Sequence, residues 1–444
     1  MLRVFDYRLY PTPAQERSLS ALLESLRLFY NAALQERRDD FRRVKDAALV
    51  SGKKPRGSVS LASQEKAVKH IKALCPEYDA IHTHLYQDAL SRLDEAFKGF
   101  FRRVKAGQRA GYPRFKSFGR YTSFTFKDAG NGNRLLHKDA PLRRKKGDTS
   151  PDYPALPALD EPTFGLVAGG KRLALHGLGK VKIKLHRPYE GKVKQVRVVH
   201  KSDGHWYAQF VCDDVPKKPL PATGQSVGVD VGLSTFAAMS DGTLVPNPRF
   251  REAAQKEIAT KSRAVARCVK GSAGRKEAVA ALAKTHARVR AQRTQFHHKT
   301  ANAIVAKYDA ICVEELNVKG LARGMLAKQV NDAGWSAFLG VLANKAECAG
   351  REFAKVDARG TSQECSGCGQ VVRKGLHVRV HRCPNCGLEV DRDVNAARNV
   401  KGRGTAFVEG AAVGPPGKRE APSSALARWG SCHDERQIVP GAKN

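Results

Sequence analysis

The sequence predicts a multidomain α/β protein. Short segments with a strand-like spacing of apolar residues alternate with longer segments whose apolar residues recur every three to four positions. At 444 residues the chain is long enough for two or three domains. Two closely spaced cysteine pairs add a metal-binding motif.

The net charge restricts the class of partner. A formal charge of +35 is far more than solubility requires, so we expect a polyanion bound over a large surface. The sequence has no apolar run of about 18 residues and no charged-then-apolar leader, which predicts a protein that is neither transmembrane nor secreted. Scattered single cysteines such as Cys212 and Cys312 lie in apolar runs and suit a reducing cytoplasm.

Residues 2–10 form the first predicted strand. A helix start follows, in which Thr12 is the N-cap, Pro13 takes the first helical position and Gln15 completes a capping box. Leucines at helical spacing continue this helix.

Two further helical patterns cover roughly residues 60–75 and 80–105, and the second ends in the basic sequence FFRRVKAG. Charged helical faces usually belong to a solvated bundle. With the charge of the whole chain, we favour nucleic-acid contact for this region.

Strand patterns return from about residue 111. In LGKVKIKLHRP apolar residues alternate with lysines, which gives a predicted sheet one apolar and one basic face. The apolar set is Val181, Ile183 and Leu185, and the basic set is Lys180, Lys182 and Lys184. A basic sheet face can follow a phosphate backbone. Residues 128–165 are rich in proline and lack periodicity, so we interpret them as a tolerated surface insertion rather than an added RNA contact.

Asp230 is the lone carboxylate in the strand-like sequence GVDVGLSTFAAM, and Asp241-Gly242 then supplies a hairpin turn. A carboxylate in the middle of a strand is costly unless it is exposed in a cleft or coordinates a ligand. An exposed position on a half-buried strand would explain Asp230 by itself.

Two later segments favour the functional interpretation. The short strand AICV ends in Glu314 and Glu315, and the helical pattern DRDVNAARNV begins with Asp391 and Asp393. A strand aspartate, a strand-end glutamate and a helix-start aspartate in this order are what an RNase H-like (RuvC) nuclease core requires. Two Mg²⁺ ions need hard oxygen ligands with positions left open for water and phosphate.

Residues 249–308 predict two antiparallel basic helices with a break near residues 271–274. His297 and His298 are neighbours there and face different sides of a helix, so they cannot form a joint metal site. We interpret them as packing or backbone-contact residues.

The cysteine pairs Cys365-x2-Cys368 and Cys383-x2-Cys386 are separated by 14 residues. Four thiolates at this spacing favour a closed structural Zn²⁺ site over disulfides or free thiols. Gly369 and Gly387 follow the two pairs, as tight metal-binding turns favour.

These blocks together resemble the OrfB/TnpB family of insertion-sequence transposons. The resemblance is carried by FDYRLYPTPAQE, PRFKSFGRYTSFTF, LGKVKIKLHRPYEGKVK, the Asp230 segment, VEELNVKGL, TSQECSGCG and DRDVNAARNV. It implies RNA-guided nucleases related to compact type V CRISPR effectors. It also implies the triad Asp230, Glu314 and Asp393, with Asp393 preferred to Asp391 and Glu314 to Glu315 on the family pattern.

The resemblance further implies a domain layout. This consists of a wedge β-barrel over 1–12 and 110–222, interrupted by a helical recognition lobe over 13–109, a RuvC-like nuclease over 223–360 and 388–405, an inserted zinc ribbon over 361–387, and a tail over 406–444. The composition of the tail predicts disorder. The implied cofactors are two catalytic Mg²⁺ ions and one structural Zn²⁺. The implied partners are a guide RNA and a double-stranded DNA target, with the chain a monomer bound to RNA and no membrane contact.

Other classes of function stay open at this point. A guide-directed repressor would bind without cutting, although all three acidic positions are present. A type V CRISPR effector would share the chemistry in another genetic context. A strand-transferring transposase would need an element that we cannot assign, and a plain zinc-ribbon RNA-binding protein would leave the acidic segments unexplained.

Overall fold

The computed structural model describes residues 2–52, 59–126, 165–166, 171–175, 177–375 and 377–410. The chain divides into two compact units, Met1–Val215 and Pro216–Asn444. The predicted domain boundary lies at 222/223, and it stays a prediction. The backbone N–H of Lys218 donates to Cys348 O at 2.8 Å and that of Leu220 to Ala349 O at 3.0 Å, so this proline-rich stretch belongs to the second unit.

In its described residues the first unit contains one antiparallel sheet and four helices. Its elements in chain order are β1 (Arg3–Tyr10), α1 (Pro13–Ser51), α2 (Leu61–Leu74), α3 (Pro76–Asp79), α4 (Thr83–Lys105), β2 (Ser123–Phe126), β3 (Gly165–Leu166), β4 (Arg172–Leu175), β5 (Gly179–Lys184), β6 (Lys192–His200) and β7 (Trp206–Asp213). The predicted helices over 60–75 and 80–105 are confirmed as α2 and α4. The predicted loop over 128–165 lies outside the described residues, except for Gly165 in β3.

The seven strands of this sheet have the order β2-β6-β7-β1-β5-β4-β3. In β5, Val181 and Ile183 are buried while Lys182 and Lys184 are exposed, which confirms the predicted apolar and basic faces. Among the described residues β2 and β3 stand at opposite ends of the sheet. Closure into a barrel stays a prediction.

The predicted helix start at Thr12 is confirmed. The Thr12 hydroxyl accepts from the Gln15 N–H at 3.3 Å, and the Gln15 side-chain oxygen accepts from the Thr12 N–H at 3.1 Å. This capping box satisfies two backbone donors at the start of α1. Leu19 and Leu26 on the same helix are fully buried in the core of the first unit.

The second unit contains a five-stranded sheet, a two-stranded sheet and seven helices among its described residues. Its elements are β8 (Ser226–Val231), β9 (Thr235–Met239), β10 (Leu244–Pro246), α5 (Phe250–Ala253), α6 (Gln255–Arg267), α7 (Ala273–Lys307), β11 (Ala310–Glu315), α8 (Val318–Leu321), α9 (Ala327–Ala333), α10 (Trp335–Cys348), β12 (Glu352–Asp357), β13 (Val380–Arg382), β14 (Glu389–Asp391) and α11 (Arg392–Gly410).

The larger sheet has the order β10-β9-β8-β11-β12. Strands β8, β9 and β10 are antiparallel neighbours, and β11 lies parallel between β8 and β12. The predicted hairpin turn at Asp241 is confirmed, since Asp241 Oδ1 accepts from the Thr243 N–H at 3.0 Å. Val227, Val229 and Val231 of β8 are buried, as their alternation predicts.

Helices α6 and α7 lie antiparallel, as predicted, with the break at residues 268–272. Lys261 Nζ donates to Thr285 Oγ1 at 2.7 Å, and Arg275 donates to Val265 O at the same distance nearer the turn. Gly271 has φ +93°, a backbone conformation that favours glycine at the end of the connection.

Helix α11 approaches the sheet unusually closely. A Cβ built on Gly228 of β8 would lie 1.9 Å from Ala397 O, and one on Gly404 of α11 would lie 2.1 Å from Cys312 Sγ. The helix runs to Gly410 and so includes residues 406–410, which the predicted layout assigns to the tail. Gly404 lies where the helix touches β11. The remaining tail residues, 411–444, lie outside the described part of the chain.

Among the described residues, every helix falls short of the length or the apolar character that crossing a bilayer requires.

Gly404→Ala and Gly402→Ala are a matched pair on one helix. A Cβ at Gly404 meets Cys312, whereas a Cβ at Gly402 has no atom within 4 Å. We expect Gly404→Ala to destabilise the second unit by about 1–3 kcal/mol through overpacking. Gly402→Ala should be neutral or stabilising by up to about 1 kcal/mol. Urea unfolding followed by circular dichroism measures both, and equal stability of the two variants would contradict the packing account.

His297 predicts a pH dependence of stability. Its ring is buried against Phe236 and Phe338, and burial lowers its pKa to about 4. The hydrogen bond from Nε2 to Ala333 O opposes this shift, and the charge of Arg293 adds to it. Since the unfolded chain protonates this histidine first, the stability it contributes is complete above about pH 6.5 and is lost as pH falls toward 4.

We therefore expect His297→Phe to reduce the fall in unfolding midpoint between pH 7 and 5. An exposed histidine of the first unit, His70 on α2, is the control for the introduction of a phenylalanine, and His70→Phe should change the fall in midpoint less than His297→Phe does. Thermal unfolding at a series of pH values gives the comparison. If the unfolding midpoints of wild type and His297→Phe fell equally with pH, the ring of His297 would not be buried in its neutral form.

Candidate active site

Asp230 and Glu314 come together through the register of two parallel strands. The pairing of β8 with β11 sets Val229 opposite Val313, so the next residue on each strand lies at the same level of the sheet. The carboxyl groups of Asp230 and Glu314 lie close enough for the charge of Glu314 to act on Asp230. Asp230 and Glu314 therefore both lie just beyond the carboxyl-terminal end of the β8–β11 pairing.

The structure distinguishes Glu314 from Glu315. Glu314 is only 7% exposed, and the Thr361 hydroxyl donates to its Oε1 at 2.6 Å. Glu315 is exposed and points away because side chains alternate along a strand. Only Glu314 faces Asp230.

Asp391 and Asp393 also separate clearly. Asp391 Oδ1 accepts from the N–H groups of Asp393 at 2.8 Å and Val394 at 3.2 Å, so Asp391 caps helix α11. Asp393 lies in the first turn, and its Oδ2 would be 3.7 Å from a Cβ at Gly232, next to the end of β8. The charge of Asp393 acts on both Asp230 and Glu314.

The three carboxylates form an electrostatically strained cluster. Burial raises the pKa of Asp230 well above its usual range, and the charges of Glu314 and Asp393 raise it further. Burial also raises the pKa of Glu314, although the hydrogen bond from Thr361 opposes the increase. Carboxylates packed in this way need a proton or a cation, and carboxylate oxygens are the ligands that Mg²⁺ prefers.

Arg379 belongs to the same site and has no role in the sequence-based prediction. Its guanidinium pairs with Asp393 Oδ2. The β13–β14 hairpin explains the position of Arg379. Val380 of β13 pairs with Asp391 of β14, so the residue before Val380 lies across from Arg392. The backbone carbonyl of Arg379 accepts a hydrogen bond from the backbone N–H of Arg392 at 2.7 Å. The sequence signal that could have indicated Arg379 is a basic residue immediately before strand β13.

The four cysteines form a second centre. Their sulfur atoms lie within 4.8 Å of one another, with Cys365 and Cys386 3.6 Å apart and Cys368 and Cys383 3.5 Å apart. Tetrahedral Zn–S bonds of about 2.3 Å place sulfurs about 3.8 Å apart, so this cluster fits a Zn²⁺ ion.

Two tight turns shape the cysteine cluster, as predicted. The N–H of Gly369 donates to Cys365 O at 2.9 Å, and that of Gly387 to Cys383 O at 3.0 Å. Both glycines have positive φ, +75° and +71°. These turns aim the cysteine sulfurs inward.

Two asparagines fasten the cysteine segment to helix α11. Asn395 is fully buried, donates to Glu364 O at 2.7 Å and accepts from the Ser366 N–H at 2.9 Å. Asn399, one turn later, donates to Thr361 O at 2.8 Å and to Glu364 O at 2.7 Å. The segment that supplies Thr361 is thus held by the helix that carries Asp393.

Family models match three regions of the chain. One described as "Probable transposase" (OrfB_IS605) matches residues 209–325, a Cas12f1-like TNB domain matches residues 335–400, and the helix-turn-helix domain of OrfB_IS605 matches residues 1–45.

Similar proteins cover most of the chain. A Streptomyces pristinaespiralis protein named "Putative RNA-guided DNA endonuclease" is 31% identical over 91% of this chain and 90% of its own length. InsQ of Escherichia coli, named in the same way, is 26% identical over 72% of this chain and 74% of its own length. The solved structure of the mini-RNA-guided endonuclease CRISPR-Cas_phi3 aligns over 94% of this chain and 93% of that chain with 9% identity and a TM-score of 0.47. From the extent of the Streptomyces match and the OrfB_IS605 models, the chain belongs to the OrfB/TnpB family.

Proposed function

We propose that this chain is an RNA-guided endonuclease that cuts double-stranded DNA beside a short target-adjacent motif. The observation that carries the proposal is the convergence of Asp230, Glu314 and Asp393 in a member of this family. Base pairing between a bound guide RNA and one DNA strand selects the target, and the protein reads the adjacent motif.

The nuclease core is an RNase H-like (RuvC) domain. Its sheet combines three antiparallel strands with two parallel ones, and helix α11 packs on the strands that carry the acids. The sheet of the first unit is the wedge barrel and α1–α4 are the recognition lobe. The cysteine segment inserts between β12 and α11 as a zinc ribbon.

The acidic cluster fits Mg²⁺, since three carboxylates with a raised pKa at Asp230 form an oxygen donor set short of positive charge. Two bound ions supply water activation and stabilisation of the leaving oxygen. Asp230, Glu314 and Asp393 are the residues that would hold such ions, because the three carboxylates act on one another. The Thr361 hydroxyl fixes the Glu314 carboxylate, and Arg379 holds Asp393 and adds positive charge beside the acidic cluster.

A cleavage assay tests the function. The protein is co-expressed with its flanking DNA so that its own RNA co-purifies. The complex is then given a plasmid library carrying a guide-matched target beside randomised bases, in Mg²⁺. Double-strand cuts that require both the match and one short flanking motif are expected, made by a single centre acting on each strand in turn. Specific binding without cutting would assign the chain to guide-directed repressors instead, and a stable nick would contradict successive cleavage by one centre.

Glu314→Gln and Glu315→Gln are a matched pair that tests which of the two glutamates belongs to the active site. Glu314 faces Asp230 whereas its neighbour is exposed, so we expect Glu314→Gln to lower the cleavage rate by more than about 100-fold. The cleavage rate of Glu315→Gln should stay within about 3-fold of wild type, because substitutions at exposed positions outside the site have small effects. Gel-based cleavage rates measure both variants, with target binding as the folding control. Equal rates for the two variants would show that the triad has been misassigned.

The cysteine cluster predicts one Zn²⁺ per chain, measured by atomic emission on the purified protein. Cys383→Ser should abolish the zinc content. It should also lower the unfolding midpoint of the second unit by more than about 2 °C, because metal binding is coupled to folding. Cys268→Ser lies outside the cluster and should retain the zinc. Full zinc content in Cys383→Ser would rule out the four-cysteine site.

A further inference from the structure

The end of α4 and the chain that follows expose four large aromatic rings close together in sequence. Phe101 is 55% exposed, Tyr112 36%, Phe115 43% and Phe118 80%. We call these four residues the aromatic patch. Single exposed apolar side chains are ordinary on protein surfaces, but a contiguous group of large ones marks an interaction site.

The backbone that carries the patch is fastened to α1. The Lys116 N–H donates to Asn31 Oδ1 at 2.8 Å, and Asn31 Nδ2 donates back to Lys116 O at 2.9 Å. Arg27 donates to the same carbonyl at 2.9 Å. Because these bonds fix Lys116, one of the two residues between Phe115 and Phe118, binding there would cost little additional backbone ordering.

Two rings of the patch, those of Tyr112 and Phe115, rest on a layer of aromatic and guanidinium groups. Tyr112 meets Phe97 and Phe100 edge to face, with ring centres 5.4 Å apart in both pairs. The Arg38 guanidinium lies 5.0 Å from the centre of the Phe115 ring and 5.9 Å from that of Tyr112. Their inner surfaces are therefore packed, and their exposed surface is available to a ligand with flat apolar faces.

The surrounding charge identifies the ligand as an anion. Residues 96–120 contain lysines and arginines at short intervals and no aspartate or glutamate. Aromatic platforms flanked by cationic side chains match single-stranded nucleic acid, in which bases stack on rings while phosphates meet the cations. A duplex keeps its base faces covered, so it cannot use such a platform.

We propose that the aromatic patch binds an unpaired segment of RNA by base stacking on Phe115 and Phe118. RNA is favoured over DNA because recognition of RNA concentrates on unpaired loops and ends whose bases stack on aromatic side chains. A fixed platform also suits a partner that stays bound. The inference rests on the proposed function, in which the resident nucleic acid is a guide RNA and the DNA arrives as a duplex.

The first test measures affinity with the full-length chain freed of co-purifying RNA by high salt. The probe is a fluorescent oligouridine of about 12 nucleotides, within the site sizes of such platforms. We expect the Phe115→Ala/Phe118→Ala double variant to bind about 5- to 100-fold more weakly per lost stack. In the double variant the logarithm of the affinity should fall with the logarithm of the salt concentration as steeply as in wild type. In Arg114→Gln that slope should be smaller in magnitude by about 0.7, because one phosphate contact is lost. Phe118→Trp keeps a ring and should retain wild-type affinity.

Tyr10→Ala is the matched control, because Tyr10 is 39% exposed and has the Arg8 guanidinium 4.9 Å from its ring centre, outside the patch. It should change affinity by less than about 2-fold. Equal losses in Tyr10→Ala and the double variant, or unchanged affinity in the double variant, would overturn the proposal.

Ultraviolet cross-linking of the co-expressed complex with target DNA then identifies the strand. Cross-links from residues 112–118 to RNA are expected, and cross-links to DNA alone would reject RNA as the ligand. Neither measurement depends on cleavage. A failed nuclease assay with intact RNA binding would therefore refute the function and leave the patch in place, and the reverse result would refute only the patch.

Discussion

The candidate active site depends on how closely helix α11 approaches the sheet of the second unit. At Gly228 a Cβ would lie 1.9 Å from the backbone of α11, and at Gly404 one would lie 2.1 Å from Cys312. Glycine at both positions lets helix and strands touch. This contact sets the first turn of α11, with Asp393, at the level where β8 and β11 present Asp230 and Glu314. A wider separation would leave three isolated carboxylates.

The cysteine segment contributes to this site as well as to its own fold. Thr361, which orients Glu314, and Arg379, which pairs with Asp393, lie on either side of the first cysteine pair. Asn395 and Asn399 tie the segment to α11, so a metal ion among the cysteines would stabilise the groups that surround the carboxylates. A structural ion can thus influence the acidic centre without taking part in its chemistry.

Acidic and basic side chains are concentrated in different parts of the chain. The chain carries +35 overall, yet acidic side chains converge where the sheet, α11 and the cysteine segment meet. Elsewhere the exposed face of β5 and the loop after α4 are basic. A polyanion would be held over a broad basic surface, while the acidic centre can attract cations needed to approach a phosphate.

The sequence by itself determined most of the longer strands, the capping box at Thr12, the two antiparallel basic helices and the two cysteine turns, because spacing and turn chemistry are local properties. It also indicated the acidic residues, but the preference for Glu314 and Asp393 came from a family pattern. Only the tertiary structure decided their surroundings: strand alternation turns Glu315 outward, and the helix cap occupies Asp391. The attachment of residues 218–220 to the end of α10 could not be predicted from local signals, since it depends on long-range hydrogen bonds from Lys218 to Cys348 and from Leu220 to Ala349.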